Sequence, residues 1–189
     1  MMAQDQQQEA AASTGLGKFK KLSQLSPNKE KLFAAADTGN LQLAAPLATA
    51  IVPLDKLKQY KTGQPATDVI TNMDELVYPV VNGQTKKLSG TMTLTKVGGR
   101  WSAARFNADK EILQDSAALL ISQGSVSYKL VKILPFHVSF LSFTDAGGLE
   151  FIPLQEDRER DLHLGRPVKA ELVLEKYVKA ANDYNGLPI

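Results

Sequence analysis

Between Glu75 and Phe106 three runs of alternating side chains are separated by only a few residues, and that spacing constrains the fold more than any other feature. Parallel strands need a crossover of a dozen residues or more, so runs this close together pair antiparallel. In the first, Leu76, Tyr78 and Val80 alternate with Val77, Pro79 and Val81 before Asn82-Gly83 turns the chain. The second, Leu88 to Val97, is followed by Gly98-Gly99, a pair free to take the positive φ angles of a tight hairpin. In the third, Arg100 to Phe106, Trp101, Ala103 and Arg105 oppose Ser102, Ala104 and Phe106.

The C-terminal half repeats the theme. Ser125–Leu134, Phe136–Thr144 and Leu149–Leu154 read as strands, with Pro135 and Asp145-Ala146-Gly147-Gly148 between them. Two amphipathic stretches flank these strands. Asn107 and Asp109 are placed to cap a helix carrying Ile112, Leu113, Ala117, Leu120 and Ile121 on one stripe, stopped by Gly124. Pro167 opens a second helix whose Ala170, Val173, Leu174, Tyr177, Val178, Ala181 and Tyr184 share a face. The pattern predicts an α+β fold, an antiparallel sheet of about six strands with amphipathic helices packed on one face.

The N-terminal third is less regular. Residues 1–17, rich in Gln and Ala without an apolar period, are expected as a disordered polar arm, leaving 18–189 as a single α+β domain. Ser26-Pro27 signals a helix that Gly39-Asn40 ends. Leu41–Leu54, interrupted by Pro46 and Pro53, reads as an edge or bent strand. A helical turn over Asp55–Tyr60 and a second short helix over 66–73 complete this third.

Composition narrows the function classes. A chain of 189 residues buries roughly 70 % of its unfolded surface and needs no disulfide or metal staple. No cysteine is present, which removes thiolate metal sites, Fe–S clusters and cysteine nucleophiles. A net charge of +2 is too small for a strong electrostatic footprint on nucleic acid, and no apolar run is long enough for a transmembrane segment. The opening Met1-Met2-Ala3-Gln4 resembles the end of a signal peptide, so a periplasmic or cell-surface location is expected, with a cytoplasmic one as the alternative.

Few motifs carry chemistry. Asp37-Thr38-Gly39 spells the aspartic-protease triplet, but that chemistry needs two carboxylates sharing a proton and the triplet occurs once. No nucleophile elbow, P-loop, dinucleotide fingerprint or His-Glu-x-x-His is found. His137 lies in an expected strand, and His163 follows the charged run Glu156–Asp161, where Asp161 and Glu159 are its nearest acids. Lys18, Lys20, Lys21, Lys29 and Lys31, with Phe19 among them, form a basic cluster. If the outward side chains of the strand after Pro135 (His137, Ser139, Leu141, Phe143) are uncovered, they make a candidate interaction surface.

Val77-Tyr-Pro-Val-Val-Asn-Gly83, Gly99-Arg-Trp-Ser-Ala-Ala-Arg-Phe106 and Ala181-Asn-Asp-Tyr-Asn-Gly-Leu-Pro188 together resemble exported bacterial α+β domains of unassigned function, over roughly residues 70–189. These are packing and turn elements, so the resemblance implies a fold and an exported location and brings no reaction or cofactor. The expectation is a non-catalytic domain that binds or scaffolds an envelope protein or other envelope component, with no catalytic, cofactor or metal residues. Two alternatives stand beside it: a hydrolase using His137 or His163 with a carboxylate as general base, and a small-ligand carrier with its pocket on the sheet.

Overall fold

A computed structural model describes residues 2–25, 40–115 and 126–184. Residue contacts divide the chain into two compact units, each built from two separate stretches: residues 1–47 with 74–124, and residues 48–73 with 125–189. The single-domain expectation for 18–189 does not contain this division.

Unit 1 holds helix α1 (Met2–Leu25), strand β1 (Leu41–Leu43), most of β3 (Thr71–Asn82), β4 (Leu88–Val97), β5 (Arg100–Phe106) and the short helix α3 (Lys110–Gln114). β1, β3, β4 and β5 are neighbours in that order, and every pairing is antiparallel. Gly98 and Gly99 both take positive φ, 56° and 80°, as the hairpin requires. The turn after Asn82 is longer than two residues. Asn82 Oδ1 accepts the N–H groups of Gln84 and Thr85, and Lys86 carries the left-handed conformation. Pro79, which has no N–H to donate, still offers its carbonyl to Ala44 N at 2.9 Å.

Three expectations for unit 1 are corrected. Residues 2–17 are not a disordered arm; they are the first part of α1. Gln, Glu and Ala favour a helix, and its buried positions Ala12, Gly15, Phe19 and Ser23 follow helical spacing. Three of these four are small, so no apolar period shows in the sequence. The second correction concerns Phe106. Thr93 pairs with Arg105 and Leu94 with Ala103, so Ala104 is an extra residue that switches the faces of Arg105 and Phe106. Phe106 therefore joins Trp101 and Ala103 against the core and meets Phe19 edge-to-face at 5.8 Å.

Asn107 and Asp109 are not side-chain caps either. Asn107, at φ 58°, accepts Thr91 N–H on its Oδ1 at 3.1 Å and donates its own N–H to Thr91 O at 2.7 Å, fastening the chain to β4. Gly90 leaves the room for this: a Cβ there would collide with Asn107 Oδ1 and Phe19. Of the helix expected over 107–124, α3 is the described part, with Leu113 buried. The expected helix from Ser26, the Asp37-Thr38-Gly39 triplet, Lys29 and Lys31 lie outside the described residues.

Unit 2 comprises β2 (Leu47–Ile51) from Ala48 on, helix α2 (Leu54–Gln59), a 3-10 turn at Ala66–Asp68, β6 (Lys129–Ile133), β7 (Val138–Asp145), β8 (Gly148–Pro153), β9 (Val168–Lys169) and helix α4 (Ala170–Asp183). β2 pairs with β6 in parallel, while β6, β7, β8 and β9 succeed one another antiparallel. Among the described residues the fold is thus α+β and mostly antiparallel, with four helices, but it has nine strands rather than about six and one parallel pair. The extra strands are short ones. The residues after Pro167 pair with Phe151 and Glu150 before the helix begins, so α4 starts at Ala170.

α4 is the most legible element. Ala170, Val173, Leu174, Tyr177 and Ala181 are all buried, and they pack with Val131, Phe140 and Phe151 of the strands and Leu57 and Tyr60 at α2. Glu171 in its first turn accepts Ala66 N–H at 3.0 Å, tying the 3-10 turn to the helix. No helix of the described residues is long and apolar enough to cross a membrane.

Candidate functional site

Of the residues that the sequence singled out, Glu159, Asp161 and His163 belong to one loop of unit 2. After β8 the chain makes a small closed loop in which Asp157 and Leu162 exchange both backbone hydrogen bonds at 2.9 Å. A 3-10 turn, Arg158–Arg160, and a left-handed Asp161 at φ 50° fit the reversal between them.

Inside the loop, Asp157 is the hub. Its Oδ2 accepts the Tyr177 hydroxyl at 2.6 Å and Arg160 Nη1 at 3.0 Å, and its Oδ1 accepts Arg160 N–H at 3.3 Å. Burial alone would raise the Asp157 carboxyl, but the Tyr177 hydroxyl and Arg160 outweigh it and hold the group below its ordinary range. The Tyr177 hydroxyl is pushed well above its ordinary value, first by burial and then by the negative Asp157 that it donates to. The Arg160 guanidinium lies over the Tyr177 ring at 4.6 Å and near Phe136 at 5.9 Å. Lys176, next along α4, donates to Arg160 O at 2.6 Å. Helix and loop are thereby fastened by two adjacent residues of α4.

On the outer side His163 sits between two acids. Its Nδ1 meets Glu156 Oε1 at 2.8 Å and its Nε2 meets Asp161 Oδ1 at 3.2 Å. Glu156 also accepts Leu164 N–H at 3.0 Å; that backbone bond first, and His163 second, lower its carboxyl from the ordinary value. A carboxylate only accepts, so Nδ1–H donates to Glu156, and Nε2 faces Asp161. Glu159 does not join this group; it is exposed and its nearest cation is Arg160 at 3.7 Å. Each acid is spent on a separate ring nitrogen, and among the described residues no group of three His, Cys, Asp or Glu side chains is placed to hold a metal ion.

His137 is not in a strand. It ends the 3-10 turn Leu134–Phe136 in a left-handed conformation at φ 52°, because Pro135 breaks the ladder and β7 begins one residue later. Its carbonyl accepts Gln155 Nε2 at 3.0 Å, and its exposed ring has no hydrogen-bond partner among the described residues. Of its expected companions on an open surface, Ser139 and Leu141 are buried and Phe143 is half-buried against Tyr128. The four therefore do not form a continuous exposed face. Nor do Lys18, Lys20 and Lys21 enclose an exposed aromatic, since Phe19 is fully buried in unit 1.

Between the 134–137 turn and the 155–160 segment lies a cleft of about 380 Å³. Phe136 and Val138 give it an apolar wall, and His137, Glu156, Arg158 and Glu159 a charged margin. Its lining contains no serine, threonine, lysine or tyrosine, and the groups it offers as bases are the unpartnered His137 and the carboxylates of Glu156, Asp157 and Glu159. Sequence reasoning found His163 with Asp161, named Glu159 where the structure brings Glu156, and missed Tyr177 and Arg160 as partners of Asp157 in the same loop. Tyr177 was legible as core; its hydroxyl lies on the far side of that role. Compared with models of protein families, with curated proteins and with solved structures, the chain matches none.

Proposed function

We propose that this chain is a non-catalytic binding protein of the cell envelope, whose cleft between Phe136 and Arg160 receives a segment of a partner protein. One observation carries the reading: apart from His137 and the exposed Glu159, the groups able to do chemistry around the cleft are already committed to one another. Tyr177 and Arg160 hold Asp157, and Glu156 and Asp161 hold His163. Such pairing stiffens the walls before a partner arrives, which lowers the ordering cost of binding. The envelope location is supported by the resemblance of residues 70–189 to exported domains.

A photo-crosslinking side chain placed at His137 and at Glu159 tests the reading in source cells, with Arg100 in the β4–β5 turn as control. Discrete protein adducts at the first two positions, in the envelope fraction and absent at Arg100, are the expected result. No adduct at either position, or hydrolysis of p-nitrophenyl acetate or phosphate that His137→Ala abolishes, removes the proposal.

A further inference from the structure

A second cavity, separate from the cleft, opens at the other end of the same strands. Along β6 and β7 the cross-strand pairs Ile133–Val138 and Val131–Phe140 are apolar and belong to the core beneath α4. The next pair on that face is Lys129–Ser142. Here the apolar row stops and a cavity of about 230 Å³ begins, bounded across the way by the segment from Thr67 to Asn72. Its floor is Val131 and Leu149; its polar groups include Lys129, Asn72, Ser142 and Thr144.

The chemistry of this lining is one-sided. Lys129 is the single charged residue among the lining groups, and no Asp or Glu shares the cavity with it. Its ammonium makes one hydrogen bond, to Asn72 Oδ1 at 3.3 Å, and has no acidic partner among the described residues. An ammonium carries three donors, so two are left to point elsewhere. Hydroxyls beside it can donate to the same acceptor. Ile70, Phe143 and Leu149, each half-buried, supply the apolar surface that such pockets use for affinity, while the few polar groups set orientation.

We infer that this cavity binds a small monocarboxylate, its carboxylate on Lys129 and the neighbouring hydroxyl groups and its short hydrocarbon tail over Ile70 and Leu149. One lysine balances one negative charge. A dianionic phosphate ester would bring a second charge that no lining group meets. The volume corresponds to the liquid share of about eight waters, the size of a straight-chain acid such as hexanoate. The inference does not depend on what the cleft near His137 receives.

The test is a titration of the ¹⁵N-labelled full-length chain with sodium hexanoate, followed by amide NMR. Saturable shifts centred on Asn72, Lys129 and Thr144 are expected. 1-Hexanol, which keeps the tail and lacks the charge, binds at least about tenfold more weakly, and so does hexanoate to Lys129→Met. Lys129 is exposed, so that variant keeps the wild-type amide pattern in α4. Leu149→Trp, which fills the cavity, removes binding by a route that leaves the charge in place. Equal affinity for hexanol and hexanoate, equal or tighter binding of hexyl phosphate, or no saturable shift at these three residues up to the solubility limit overturns the inference.

Discussion

The two units bury their helices against strands by opposite means. In unit 1, α1 approaches β4 and β5 through Ala12, Gly15 and Ser23 with Phe19 as its one large buried side chain, and the strands answer with Gly90, Met92, Leu94 and Ala103. In unit 2, α4 and the strands meet through large rings: Phe140 stacks on Phe151 at 5.2 Å, and Tyr177 lies 5.4 Å from Phe136 and 6.4 Å from Phe140. Close approach and bulk both fill space. They differ in what they tolerate. A helix face built on small residues has no room for an added carbon, whereas one built on rings cannot lose one.

The largest expected effect is Tyr177→Ala, which removes a fully buried ring and leaves Asp157 without its hydroxyl donor. It should cost about 3–5 kcal/mol in urea unfolding. If amide protection within β4 and β5 falls by as much as in β6 and β7, the contrast between the units does not extend to their stability. Next is Gly15→Leu. A Cβ at this position would collide with Met92 Sδ and lie 3.0 Å from Ala103 Cβ, so the variant should lose about 1–3 kcal/mol despite leucine's better helix propensity. A stabilised Gly15→Leu would mean that α1 is not held by close contact.

Asp157→Asn probes the polar side of unit 2. Because the folded-state carboxyl is lowered, its contribution is full above an ordinary aspartate pKa of about 4 and is lost as pH falls through the lowered value. The variant should be about 1–2 kcal/mol less stable at pH 7, with the gap closing on acidification toward pH 2–3. A gap that stays constant with pH would show that the charge of Asp157 contributes nothing. The smallest effect has the opposite sign. Thr93 Oγ1 is buried with no hydrogen-bond partner, so Thr93→Val should raise the thermal midpoint, with a gain of about 1 kcal/mol.

The same contrast explains what was legible in the sequence. α4, the β4–β5 hairpin and the turn over Asp55–Tyr60 arise from side-chain periods and glycines that act locally. α1 escaped because its buried stripe is made of alanine, glycine and serine, which carry no hydrophobic signal however deeply they sit. The face of Phe106 escaped because one extra residue at Ala104 shifts the alternation, and a bulge of this kind leaves no mark in composition. Beside the cleft, His163 and Asp161 were visible as neighbours in sequence, whereas Glu156 was not told apart from Glu159. Asp157, Arg160 and Tyr177 needed α4 to return to the loop before their partnership existed.

The order in which the two units use the chain has a consequence on the ribosome. Unit 1 possesses all its residues once residue 124 has emerged, but β2, made early, has no parallel partner until Lys129–Ile133 comes out after it. Nascent unit 2 therefore holds Ala48–Ile51 as an unpaired edge while unit 1 is already able to close, and a stall in translation between these points would leave that edge open to other chains.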